Sequence, residues 1–322
     1  MLRVLFAGTP ETAVPSLRML AHDHEHFEVV AVLTNPDAPA GRGRKLTPSP
    51  VKQAALELDL PVMECDPRED TFPAALQATG AQVGVVVAYG RILRQKVLDA
   101  LPMGWVNLHF SLLPQWRGAA PVQRAIWAGE ALTGTSVFKL TAGMDTGPVL
   151  AQSTTRIGAH ESAGELLGRL AEDGAHLLAA SLNAWEEGQV TPVDQPEGVY
   201  EVAAKISHED AHMRFDVPAF ALDRQVRACT PNPGAWCFLH HDGDDGQSTV
   251  LHVAKAAPTS PEDDQVSHGL KPGALAVDKH HVWVGTKSDP LELLLVKPQG
   301  KKEMTADQWA RGARLADNAF LD

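Results

Sequence analysis

The sequence predicts an α/β protein in two parts, an N-terminal domain on a mostly parallel sheet and a smaller C-terminal domain formed as a β-barrel. Three observations predict it. Short apolar runs alternate with helical patterns over residues 1–188, the pattern of strands laid in parallel with helices on both faces. Residues 189–206 are rich in turn formers and hold no helical period, as a linker does. Residues 207–322 then offer one helical stretch and about five short strands, a set that suits a small barrel although the count alone does not fix its topology. A length of 322 residues exceeds the usual single domain.

Taken in order, Arg3–Gly8 reads as a buried strand. Thr9 then supplies a helix N-cap and Pro10 the first helical position, for a helix reaching His22. The strand 28–35, a loop over 36–50, the helix 51–59 and the strand 61–65 follow. Val83–Gly90 is a continuous apolar run of the kind found at the centre of a parallel sheet. Residues 106–110 alternate as a strand, 121–130 form a helix, and 133–142 and 149–157 are strands joined by the Gly-rich turn 142–148. A long amphipathic helix from Ser162 to Glu187 closes the domain. In the second domain a helix is expected from Ser207 to Thr230, capped by Ser207 and Asp210, and strands at 235–240, 248–256, 273–278, 281–286 and 291–298.

The composition narrows the function. The N-terminal apolar run is too short to span a bilayer and has no small-residue cleavage site after it, which predicts a cytoplasmic protein. Three cysteines without CxxC spacing argue against both a disulfide framework and a zinc site. His22, His24 and His26 alternate in a polar segment that reads as a solvated loop, so no metal is expected. The first βα turn lacks GxGxxG, which argues against a dinucleotide dehydrogenase. A net charge of −12 means that any nucleic-acid partner must meet local basic patches.

The chemistry is expected in Asn107–Gly118. Val106, Leu108 and Phe110 bury one face of a strand, so Asn107 and His109 share the other. Alone, the pair reads equally as a site or as satisfied polar groups at a strand end. Asp145, in the turn Ala142–Pro148, is a third candidate, because a carboxylate on a neighbouring loop can fix the tautomer of His109 and stabilise its protonated form.

Together the N-x-H pattern, SLLPQWRGAAPVQ and DTGPVL resemble the 10-formyltetrahydrofolate-dependent formyltransferases. PAGRGRKLTPSPVK and KPQGKKEM are similar to the members that act on initiator methionyl-tRNA, and this likeness extends over nearly the whole chain. The resemblance implies a Rossmann-like formyltransferase domain followed by an OB-like tRNA-binding domain. It implies Asn107, His109 and Asp145 as catalytic residues, and a folate pocket from Arg91, Ile92, Leu93, Ser111, Leu112, Leu113 and Pro114. It implies tRNA contacts from Arg42, Arg44 and Lys45, with a second basic patch from Lys205, Lys297, Lys301 and Lys302. The expected partners are 10-formyltetrahydrofolate as donor and initiator methionyl-tRNA as acceptor, with no metal and no membrane, and the protein is expected to be a monomer. The rivals are a formyltransferase for amino-sugar nucleotides, which shares the catalytic motifs, and a catalytically silent folate- or RNA-binding module.

Overall fold

Seven strands build the first sheet. Strands β1 (Leu2–Gly8), β2 (Phe27–Leu33), β3 (Val62–Met63), β4 (Val83–Val87) and β5 (Trp105–His109) run parallel in the order β3-β2-β1-β4-β5. Beside β5 lies an antiparallel hairpin of β6 (Leu132–Lys139) and β7 (Val149–Arg156). The expected central strand is central: β4 has three strands on either side, and Val83, Val85 and Val87 are fully buried. The structure, a computed structural model, describes residues 1–40, 45–241, 248–260, 262, 266 and 268–322.

Two close approaches fix β5, the strand that carries Asn107 and His109. Gly84 pairs with Trp105, and the indole fills the space a side chain at Gly84 would need: an added Cβ would lie 2.1 Å from Trp105 Cε3. The indole Nε1–H donates to the Val97 carbonyl at 2.9 Å, so a buried polar group is satisfied and the ring is pinned. On β5 itself, Leu108 packs against Gly174 of the long helix Ala163–Glu186, where a Cβ would meet Leu108 Cδ2 at 3.0 Å. Interior pairing on both edges and these contacts hold the strand rigidly.

Some expected elements differ in detail. Thr9 does not cap the first helix. Its hydroxyl donates to the Tyr89 carbonyl at 3.0 Å, and the chain makes a 3-10 turn (Glu11–Ala13) before the α-helix Val14–His22. Within the expected loop 36–50, Ala38–Ala40 pairs antiparallel with Lys45–Thr47. The helix that follows is Pro50–Glu57, capped by Ser49, whose hydroxyl accepts from the Lys52 N–H at 3.0 Å. The helix expected from Ser207 begins only at Ala219. Ser207 and Asp210 do exchange the reciprocal capping bonds, at 2.8 and 3.1 Å, but they close a turn. The backbone of Met213 then donates to Trp236, and Pro218 disfavours helix at the residue before it, leaving Ala219–Cys229 as the helix.

Two compact units divide the chain. One holds Met1–Pro121, Leu132–Arg156 and Leu167–Ala203; the other holds Val122–Ala131, Ile157–Leu166 and Ala204–Asp322. In the second, all five expected strands form: β8 (Ala235–His240), β9 (Ser248–Pro258), β10 (Leu275–Val277), β11 (Val282–Val284) and β12 (Leu291–Pro298). Two short ones, β13 (Met304–Thr305) and β14 (Phe320–Leu321), complete an antiparallel sheet in the order β10-β11-β12-β9-β8-β14, with β13 on β12. The Leu321 N–H donates to the Gly273 carbonyl at 2.9 Å, and Ala274 bridges Phe320, so the sheet curls to meet itself as an OB-like barrel does. Cys229 and Cys237 are buried free thiols, and burial pushes Cys229 up to about 12. No helix among the described residues is long and apolar enough to cross a membrane.

Candidate active site

The carboxyl ends of β4 and β5 lie side by side, and a cavity of 490 Å³ opens there. Parallel sheets bind ligands at that edge because the loops diverge from it. The period of the strand does the rest. Two residues apart on β5, Asn107 and His109 emerge on one side, and both line the cavity with Asp145 from the turn after β6. The three candidate catalytic residues are therefore brought together.

His109 is 6% exposed, and burial pushes its pKa below the ordinary 6.5, with the Asp145 carboxylate and a backbone bond opposing. Its Nε2 lies 2.9 Å from the Trp116 carbonyl. A carbonyl can only accept, so Nε2 carries the proton and Nδ1 holds the free lone pair. The tautomer is thus fixed by Trp116, where Asp145 was expected to fix it. Asp145 Oδ2 stands 3.9 Å from Nδ1, an ion-pair distance once the ring is charged, and accepts the Gly118 N–H at 2.8 Å. Asp145 also sits at φ +52°, in the left-handed region. The side chain of Asn107 makes no hydrogen bond among the described residues, which leaves its amide to a ligand.

The expected folate residues divide. Arg91 and Ile92 line the cavity, and Arg91 Nη1 lies 3.5 Å from Asp66 Oδ2. Leu93 packs into the core beneath, and Ser111, Leu112, Leu113 and Pro114 are absent from the lining; Phe110, Tyr89 and Met144 occupy it. Ser111–Leu113 is instead tied to the hairpin. Ser136 Oγ donates to the Ser111 carbonyl at 2.6 Å and accepts from the Leu113 N–H at 3.0 Å, while Gln152 Nε2 donates to the Leu113 carbonyl and to Ser136 Oγ, each at 2.8 Å.

Of the expected tRNA residues, Arg42 and Arg44 lie outside the described residues. Lys45 is exposed in the short strand Lys45–Thr47. In the second unit Lys205, Lys297, Lys301 and Lys302 are all exposed. Lys297 stands in register with His252 and, one strand on, Trp236, whose ring is stacked by His208 at 4.7 Å and His212 at 4.2 Å. Among the described residues, no cluster of three or more His, Cys, Asp or Glu is placed to hold a metal.

Fold and sequence together place the chain among the formyl transferases: the formyl transferase family matches residues 2–182, and the formyl transferase C-terminal domain matches residues 205–314. The N-formyltransferase of Helicobacter canadensis, solved with folinic acid and dTDP-3-aminofucose, superimposes with a TM-score of 0.62 at 17% identity, covering 91% of this chain and 99% of that one. At higher identity, the methionyl-tRNA formyltransferases of Bifidobacterium animalis subsp. lactis and Bifidobacterium adolescentis are 72% and 67% identical over 322 residues, all of each chain. The chain belongs to the methionyl-tRNA formyltransferase family.

Proposed function

We propose that this chain transfers the formyl group of 10-formyltetrahydrofolate to the α-amino group of methionine on initiator tRNA, supplying formylmethionyl-tRNA for translation initiation. The observation that carries the reading is the convergence of Asn107, His109 and Asp145 on one cavity at the ends of β4 and β5.

The cavity suits the donor. Ile92 is 82% and Met144 66% exposed, apolar surface at the lining that a flat ring system would cover. When bound, 10-formyltetrahydrofolate supplies the formyl carbon under attack and the nitrogen that leaves. Asn107 donates its amide N–H to the formyl oxygen as charge gathers there. His109, with its Nε2–H held by Trp116, accepts the proton of the attacking amine at Nδ1, and the Asp145 carboxylate stabilises the imidazolium so formed. From Nδ1 the proton returns to the leaving nitrogen. Donor binding is assigned to Arg91 and Ile92 at the lining, with Leu93 in the core next to them in the chain, and with Ser111, Leu112, Leu113 and Pro114, bonded to the hairpin, setting the loop that follows His109.

For tRNA, the reading assigns Arg42, Arg44 and Lys45 to the acceptor end and Lys205, Lys297, Lys301 and Lys302 to phosphates. It is supported by the exposure of Lys45 and of all four second-unit lysines, with Lys297 in register with His252 across β9 and β12. A cytoplasmic location and action as a monomer go with this reading. The test is incubation of the purified protein with labelled donor and charged initiator tRNA, and in parallel with an amino-sugar nucleotide. Formylmethionine on the tRNA is expected; no product, or product only on the sugar, overturns the reading. Arg42→Ala should raise the KM for tRNA and leave that for the donor unchanged.

A further inference from the structure

Gln195 lies 86 positions beyond His109 in the turn-rich stretch, yet it spans the two loops that hold the site. Its Nε2 donates to the Asp145 and Gly147 carbonyls, each at 2.8 Å. Its Oε1 accepts from Arg117 Nε at 3.0 Å and Nη2 at 2.6 Å. Carbonyls only accept and guanidinium only donates, so the amide has one orientation, and both its N–H groups and its oxygen are engaged. Arg117 in turn sits between Trp116, whose carbonyl takes the His109 Nε2–H, and Gly118, whose N–H is taken by the Asp145 carboxylate.

The backbone around Gln195 is itself anchored. Val193 exchanges two hydrogen bonds with Val149, at 2.7 and 2.9 Å, at the start of β7. Further on, Val202–Ala203 pairs in parallel with Arg117–Gly118, and the Glu201 carbonyl accepts from the Trp116 N–H at 3.0 Å. The Arg117 guanidinium lies 5.7 Å from the centre of the Tyr200 ring. Asp145 holds a left-handed conformation that a non-glycine residue adopts only where its surroundings impose it. The Gln195 amide on its own carbonyl is one such constraint.

We infer that Gln195 is a positioning residue for formyl transfer: its amide sets the register of the Trp116–Gly118 loop against the Asp145–Gly147 turn, and so holds the Asp145 carboxylate beside His109. This rests on the function proposed above. A misplacement of about 1 Å in a catalytic group costs on the order of a hundredfold in rate, and the loss should fall on turnover, because Gln195 does not line the cavity.

The test is a double-mutant cycle. Gln195→Ala and Gln195→Glu are each made in the native chain and in Asp145→Asn, and kcat, both KM values and the thermal midpoint are measured. Gln195→Glu keeps an acceptor for Arg117 and loses the donor to the two carbonyls. Expected are kcat losses of about ten- to a hundredfold for both variants, KM values within threefold, and little further loss in the Asp145→Asn background, since a residue acting through Asp145 has nothing left to position there. Losses that multiply with that of Asp145→Asn, kcat within twofold of the native value, or failure of both variants to fold would overturn the inference. The native protein in the same assay separates the cases: if it makes no formylmethionyl-tRNA, the proposed function fails, whereas an active native protein with unaffected Gln195 variants fails this inference alone.

Discussion

Asp145→Asn isolates the charge of the site from its shape. Asparagine is isosteric, accepts a hydrogen bond from the Gly118 N–H as aspartate does, and tolerates the left-handed conformation found at φ +52° at least as well, so the fold should be retained. What disappears is the negative charge 3.9 Å from His109 Nδ1, worth about 4 kcal/mol toward an imidazolium at an effective dielectric constant of about 20. Since each 1.36 kcal/mol is about tenfold in rate, a transition state that has moved its proton fully onto His109 would lose about a thousandfold in kcat. Partial transfer would lose proportionally less. The assay is turnover of charged initiator tRNA at saturating donor, with KM for each substrate and a urea melt alongside. A kcat within fivefold of the native value, in a variant of native stability, would refute the role given to the carboxylate.

Further outcomes follow from the same structure. Asn107→Ala should lower kcat about 100- to 1,000-fold through loss of an oxyanion donor, and His109→Ala about 100- to 10,000-fold through loss of acid–base help, both with native circular dichroism. Because burial lowers the His109 pKa below 6.5, the ring should be neutral and competent as a base at neutral pH, with kcat/KM falling on the acid side only below 6.5. Asp145→Asn, by removing a charge that favours the imidazolium, should move that limb to lower pH. The same shift bears on stability: below 6.5 the unfolded imidazole binds a proton that the folded one does not, so stability is full above 6.5 and declines as pH falls toward the folded pKa, which a pH series of urea melts would show. Gly84→Ala should destabilise the sheet by about 1–3 kcal/mol, because the added Cβ would sit 2.1 Å from an indole that its own hydrogen bond prevents from moving; a change under about 0.5 kcal/mol would show that the strands can part.

Side-chain periodicity made much of this site legible. Residues two apart on one strand share a side, which is enough to pair Asn107 with His109. Short apolar runs between helical patterns were enough for the sheet and for the centrality of Val83–Val87. The turn at Asp145 was readable as a neighbour only because open sheets gather their loops at one edge. What the sequence hides is backbone chemistry. Nothing in the letters shows that the Trp116 carbonyl holds Nε2, or that the Gly118 N–H holds Asp145, since every residue offers such groups. Gln195 was hidden for another reason: a glutamine among turn formers has no periodicity, and its partners are 50 and 78 positions away. The delayed helix at Ala219 shows local and tertiary preference in competition, a sound capping pair at Ser207 and Asp210 giving way to the pairing of Met213 with Trp236 and to Pro218.

The two-residue pairing of Val202–Ala203 with Arg117–Gly118 limits how such genes can recombine. A crossover at Gly188 would deliver the three side chains proposed to be catalytic from one parent and the strand that pins their loop from the other, so the incoming segment would have to present Gln195 and that strand in the same register. A crossover beyond Ala203 carries the whole arrangement intact. Chimaeras exchanging the C-terminal part among relatives should therefore tolerate the later junction far better than the earlier one.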